Sequence, residues 1–127
     1  MMTSLSAGII IHKLLTGDKE VMRLARKVFP VVTDKALLPY VTYRRASLQH
    51  NPTKAGMPGA DTVQVEVLCY AGGYLESVEL AEAVRAALDY QQGAEGDIQM
   101  RSCMLSGSSE GWEGDAFVQE LIFSIKI

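Results

Sequence analysis

Residues 61–88, DTVQVEVLCYAGGYLESVELAEAVRAAL, decide the fold. Val63, Val65, Val67 and Cys69 recur at every second position, with Gln64 and Glu66 between them. That alternation predicts a strand with one buried face. Gly72-Gly73 breaks the run, and a helix then starts at Ser77 or in the tail of the loop. On it Val78, Ala81, Val84 and Leu88 form one stripe, flanked by Leu80 and Ala87, while Glu76, Glu79, Glu82 and Arg85 lie mostly off it. A sheet face packed on a helix stripe gives the chain its core.

The chain on either side extends this plan. Residues 4–16 read as a short helix with Ile10, Ile11, Leu14 and Leu15 inward and Gly17 as its stop. Asp18 caps a second helical segment carrying Val21, Met22, Leu24 and Ala25. Residues 27–32 form a short strand whose Pro30 places it at a sheet edge or a strand end. Residues 39–48, PYVTYRRASL, form the next strand, with Val41, Tyr43 and Arg45 on one face and Tyr40, Thr42 and Arg44 on the other. Neither face is wholly apolar, so one side is wet. Residues 49–60, QHNPTKAGMPGA, are a loop of Pro, Gly and polar residues, long enough to project as an arm between two adjacent strands.

After the central helix, residues 91–97 are a turn and residues 98–105, IQMRSCML, a strand. Residues 106–115, SGSSEGWEGD, read as a second flexible loop carrying the only tryptophan, Trp112. Residues 117–127 are the last strand, with Phe117, Leu121, Phe123, Ile125 and Ile127 inward. The order α-α-β-β-β-α-β-β with hairpin-length connections predicts an α+β fold: a largely antiparallel sheet with helices packed on one face.

A length of 127 residues, 48% of them hydrophobic, suits a single domain over 1–127 with a sizeable core. No apolar run approaches the roughly 20 residues of a membrane span, and Gly8-Ile9-Ile10-Ile11 is too short for a signal peptide. The expectation is a soluble protein kept in the cytoplasm until it is assembled. Cys69 and Cys103 each fall in a strand without metal spacing, and read as reduced, buried residues.

The net charge of −3 conceals an asymmetry. Residues 1–60 hold nine Lys/Arg and three Asp/Glu, whereas residues 61–127 hold three and twelve. Such a split marks a nucleic-acid-binding half, an acidic surface, or two faces that meet in an oligomer. Alternatively the halves intermix in space and their fields cancel.

The residues offer little chemistry. Gly72-Gly73 precedes no basic residue, and no His-x-x-x-His, Cys-x-x-Cys or nucleophile motif occurs. His12 and Lys13 sit among hydrophobes as a solvated edge. No catalytic, cofactor-binding or metal-binding residue is expected. Arg44 and Arg45 beside Tyr40 and Tyr43 are the nearest approach to a nucleic-acid surface, but the chain is acidic overall. Trp112 is the sharper anomaly: such a ring either tucks back onto the core or docks into a partner. The candidate contact residues are Arg44 and Arg45, His50, Lys54 and Met57 in the arm, and Trp112 and Glu113 in the second loop.

The arrangement resembles the tail-completion, or tail-terminator, proteins of long-tailed phages and prophages. The likeness is carried by the helix ending at Leu15-Thr16-Gly17-Asp18, by Val28-Phe29-Pro30 and by Leu38-Pro39-Tyr40-Val41-Thr42-Tyr43. It continues through Val65-Glu66-Val67-Leu68-Cys69-Tyr70, the helix from Ser77 to Leu88 and the last strand from Phe117 to Ile125. Residues 32–37 depart from the family, which often has a proline there. The resemblance implies a structural virion protein, assembled in the host cytoplasm, that forms a ring, commonly of six copies, at the head-proximal end of the tail tube. Its implied partners are further copies of itself, the tail-tube protein and a head-connector protein. Passage of DNA through the ring stays open, and no membrane or cofactor is implied. The alternatives are a head-closure or connector component and, from another class, a small nucleic-acid- or metabolite-binding α+β domain.

Overall fold

The computed structural model describes residues 2–31, 36–51 and 61–127. Most of the arm at 49–60, with Lys54 and Met57, lies outside those residues, as does most of the connection at 32–37.

A single 3-10 turn (Ser4–Ser6) leads into α1 (Ala7–Thr16), which buries Ala7, Ile10, Ile11 and Leu15. Gly17 ends the helix, its N–H donating to the Lys13 carbonyl at 2.9 Å. α2 (Lys19–Leu24) begins on Asp18, whose Oδ1 accepts from the N–H groups of Glu20 and Val21, both at 3.0 Å. Such a cap contributes about 1 kcal/mol to so short a helix.

The main sheet consists of β1 (Lys27–Pro30), β2 (Tyr40–Gln49), β3 (Thr62–Ala71), β6 (Ser102–Glu113) and β7 (Ala116–Lys126). Its order is β1-β2-β3-β7-β6, antiparallel throughout except that β1 runs parallel to β2. Between β3 and β6 come α3 (Tyr74–Leu88) and a small separate hairpin, β4 (Gly93–Glu95) and β5 (Ile98–Met100). The architecture is therefore the expected α+β one, with helices on one sheet face. The strand expected at 98–105 is divided at Arg101. Ile98–Met100 pairs with β4, and the Arg101 N–H then joins the main sheet by donating to the Lys126 carbonyl at 2.8 Å.

Alternation builds the core as the sequence suggests. Val63, Val65, Val67 and Cys69 are fully buried, and Val63, Val65 and Val67 stand opposite Ile125, Phe123 and Leu121 of β7. Each large apolar side chain removed from water there contributes about 1.5–3 kcal/mol. The helix covering them starts earlier than expected, at Tyr74 after Gly73, and its buried stripe is Ser77, Leu80, Val84, Ala87 and Leu88. Val78 and Ala81 flank that stripe instead of leading it. Ser77 can face the core because its hydroxyl donates to the Tyr74 carbonyl at 2.6 Å.

Two further expectations change. In β2, Val41, Thr42 and Tyr43 are all buried, and exposure begins only at Arg44, next to a bulge between Arg45 and Ser47. Residues 106–113 are strand, not loop: after a bulge at Ser106 they continue β6 in pairing with β7 from Gly107 to Glu113, which stands opposite Ala116. Burial could not reveal this, because beyond Cys103 no residue of β6 is buried. The pairing is templated by β7 and closed by a two-residue turn, Gly114-Asp115, with φ of 57° and 63°. Two successive positive φ values are what a type I′ hairpin turn requires, and Gly-Asp is one of the dipeptides that supply them.

Candidate assembly surfaces

The outer half of β6, paired with β7, forms a solvent-exposed tip beyond a root tied to α3. At the root, the Tyr90 N–H donates to the Cys103 carbonyl at 2.7 Å and the Leu105 N–H donates to Asp89 Oδ1 at 3.0 Å, tying the end of α3 to the strand. A bulge between Leu105 and Gly107 follows. Past it the strand is organised by an aromatic and polar cluster. The Phe117 ring stands edge-on to both Tyr74 (5.7 Å between centroids) and Trp112 (4.8 Å). Glu110 accepts from the Tyr74 hydroxyl at 2.9 Å and from Gln119 Nε2 at 3.0 Å. The Gln119 and Tyr74 hydrogen bonds hold the Glu110 carboxyl below its ordinary range, while the same carboxylate pushes the Tyr74 phenol up.

These contacts orient the tip without covering it. Tyr74, Leu75 and Trp112 remain 50%, 69% and 58% exposed, a solvent-facing apolar cluster on one corner of the molecule. Trp112 rests one side on Phe117 and presents the rest of its ring to solvent. The charge around it has one sign: residues 102–125 contain no Lys or Arg, and Glu110, Glu113 and Asp115 are exposed.

The opposite corner has the opposite character. Arg23 holds Glu20 through two hydrogen bonds, at 3.1 and 2.8 Å, with both side chains more than 60% exposed. Arg26 Nε donates to the Leu38 carbonyl at 2.7 Å, and the Lys27 ammonium lies 5.3 Å from the centre of the Phe29 ring. Met22, Arg23, Leu24, Ala25, Arg26 and Pro39 line a shallow hollow of about 500 Å³.

The residues singled out from sequence are dispersed. Arg44 ion-pairs with Glu66 at 2.8 Å on the open sheet face, and Arg45 donates to the Leu5 carbonyl at 3.0 Å. His50 Nδ1 meets Asp61 Oδ1 at 2.7 Å, and the Ser4 hydroxyl donates to the other Asp61 oxygen at 2.5 Å. The Ser4 and His50 contacts keep the Asp61 carboxyl below its usual range. This clasp closes the root of the arm. Gln49 pairs with Thr62, whereas Tyr40 pairs with Tyr70 at the end of the sheet nearest Trp112. His50 and Trp112 therefore lie at opposite ends of strands about 30 Å long. Glu113 faces the open side with Tyr40 and Tyr70, whose phenols burial and then Glu113 push up. Trp112 gathers instead with Tyr74 and Glu110, which like the neighbouring Leu75 sequence reasoning passed over. Their signal was the apolar pair Tyr74-Leu75 directly after Gly72-Gly73, where an exposed first turn leaves such residues in solvent.

The Arg–Tyr grouping does not hold together either. Tyr43 is buried on the helix side, with its hydroxyl 2.9 Å from His12 Nδ1, while Tyr40 lies on the open face stacked on Tyr70 at 4.6 Å. His12 is accordingly half-buried and partnered, not a solvated edge, and Lys13 pairs with Glu95. Cys69 and Cys103 are free and buried; burial pushes the Cys69 thiol far up, and burial with Asp89 nearby pushes that of Cys103 up to about 12. Among the described residues no group of three or more His, Cys, Asp or Glu could hold a metal ion, and no helix is long and apolar enough to cross a membrane.

Solved structures share this fold. One is a chain from the virion of a native gene transfer agent particle, with a TM-score of 0.76 at 18% identity over 98% of both chains. Another is the gp17 protein of bacteriophage SPP1, with a TM-score of 0.59 at 15% identity over 97% of this chain and 86% of that one. No curated protein matches by sequence. A family model described as "Tail completion protein gp17" matches residues 10–126, from within α1 to the end of β7. With nearly its whole length covered, the chain belongs to the tail completion protein gp17 family.

Proposed function

We propose that this chain is a structural protein of a phage or phage-like particle, which caps the tail tube by associating with copies of itself into a ring and gives the head its joining surface. The observation that carries this reading is the family match over residues 10–126. The likeness to a chain of an assembled transfer-agent virion over 98% of both molecules supports it at the level of fold. The surface fits such a role: exposed aromatic and aliphatic groups stand on a framed corner, rimmed by charge, as in protein–protein contacts. Function of this kind is binding and shape, with no reaction.

Purified tail tubes, incubated with the protein and viewed by negative-stain electron microscopy, test the reading. Density at one end only, with those ends becoming competent to join heads, is expected. Binding along the tube wall, or none at either end, overturns it.

A further inference from the structure

The two contrasting corners occupy opposite edges of one sheet, and they are level. Lys27 of β1 stands opposite Tyr40, Tyr40 opposite Tyr70, Tyr70 opposite Val118, and Val118 opposite Gly111 of β6. This row crosses all five strands, a width of about 19 Å. At one end are Glu110, Trp112 and Glu113; at the other are Arg23, Arg26 and Lys27 around the hollow floored by Met22, Leu24, Ala25 and Pro39. Resting on the self-association proposed above, we infer that the β6–β7 tip of one copy seats on the α2–β1 corner of the next, with Trp112 in the hollow and its flanking glutamates against Arg23 and Arg26.

Three observations carry the assignment to a second copy. The charges are complementary along the edges, with no cation between residues 102 and 125 on one side and Lys19, Arg23, Arg26 and Lys27 on the other, where Asp18, Glu20, Glu79 and Glu82 lie on the α3 side of Arg23. The shapes correspond, a projecting ring facing a shallow hollow, and guanidinium groups at its rim suit the face of an indole. The surfaces lie on opposite edges at one height, so successive copies repeat the same contact sideways. Such a contact is head-to-tail, the kind that closes into a ring where the rotation between copies permits. Glu20 now shares Arg23 in a pair exposed enough to be exchanged at little cost.

Charge reversal tests this with the full chain. Glu110→Lys with Glu113→Lys makes one variant, and Arg23→Glu with Arg26→Glu makes the other; sedimentation velocity reads the assembly of each. Each variant alone sets like charges together, so its self-association weakens on the order of 100-fold. An equimolar mixture restores assembly, because every contact then joins opposite charges, and the restored particle contains the two variants in equal number. Recovery in the mixture also shows that both variants fold. Variants that assemble like the wild type overturn the pairing while leaving self-association intact, and so do variants that fail separately and stay apart when mixed. A wild-type protein that stays monomeric at all concentrations and leaves tail-tube ends bare overturns the self-association itself.

Discussion

β3 and the outer half of β6 are strands of similar regularity held by different forces. In β3 every second residue is buried, from Val63 to Ala71, and the strand lies between two others under a helix. In β6 from Ser106 to Glu113 no residue is buried, the strand is an edge, and its order comes from pairing with β7 and from the cluster of Tyr74, Glu110, Trp112, Phe117 and Gln119. Burial fixes the first, and a neighbour's backbone fixes the second. The difference separates the part of the molecule that makes it fold from the part free to make contacts.

Substitutions in the two regions measure that difference. Phe123→Ala removes a fully buried ring beneath the helices, and should cost about 3–5 kcal/mol in urea denaturation. A loss below about 1 kcal/mol would erase the contrast. Gly114→Ala puts a side chain where φ is +57°, and should cost about 1–2 kcal/mol, whereas Asp115→Gly at the same turn should be neutral or slightly stabilising. Equal effects at the two positions would argue against the type I′ turn.

Trp112→Ala sharpens the comparison further. The ring is more than half exposed, so the substitution should lower stability by only about 1 kcal/mol while weakening the proposed contact between copies, read by the same sedimentation experiment. A stability loss as large as that of Phe123→Ala would place the tip in the core after all.

The smallest effect belongs to the clasp at the other end of β3. The Asp61 pKa is lowered in the fold, first by Ser4 and then by His50. Its contribution is therefore present above the ordinary carboxylate pKa and lost as pH falls through the lower, folded value. Asp61→Asn should lower stability at neutral pH, flatten the acid side of the profile and leave its acid end little changed. An acid side as steep as the wild type's would assign that pH dependence to other carboxylates.

What was legible in the sequence follows the same division. The alternation of Val63, Val65, Val67 and Cys69 states both strand and face, because water exclusion writes a period of two into the residues themselves. The helix after it was legible in kind but rotated: apolar spacing puts Val78 and Ala81 on the stripe, whereas Ser77, bonded through its hydroxyl to the backbone, takes the inward position. Residues 106–113 were illegible as strand because Gly, Ser and Glu carry no burial signal, and the turn Gly114-Asp115 that identifies the hairpin was read as part of the loop. The charge asymmetry between the halves could be counted in advance, but its meaning depended on sheet order. The halves intermix where Lys13 pairs with Glu95 and Arg44 with Glu66, and only at the opposite sheet edges, β1 and β6, do Arg26 and Lys27 stand on a different side from Glu110 and Glu113. Of the candidate contact residues, Trp112 and Glu113 stand on such a side, whereas Arg44 is paired on the open face and Arg45 and His50 hold the chain to itself.

The bulge between Leu105 and Gly107 has a consequence for how this molecule can change. It divides β6 into a moored half, bonded to the end of α3, and an outer half held by β7 and by Tyr74 at the start of α3. A substitution in the outer half therefore alters the outward surface while the contacts of the moored half and of the apolar interior stay as they are.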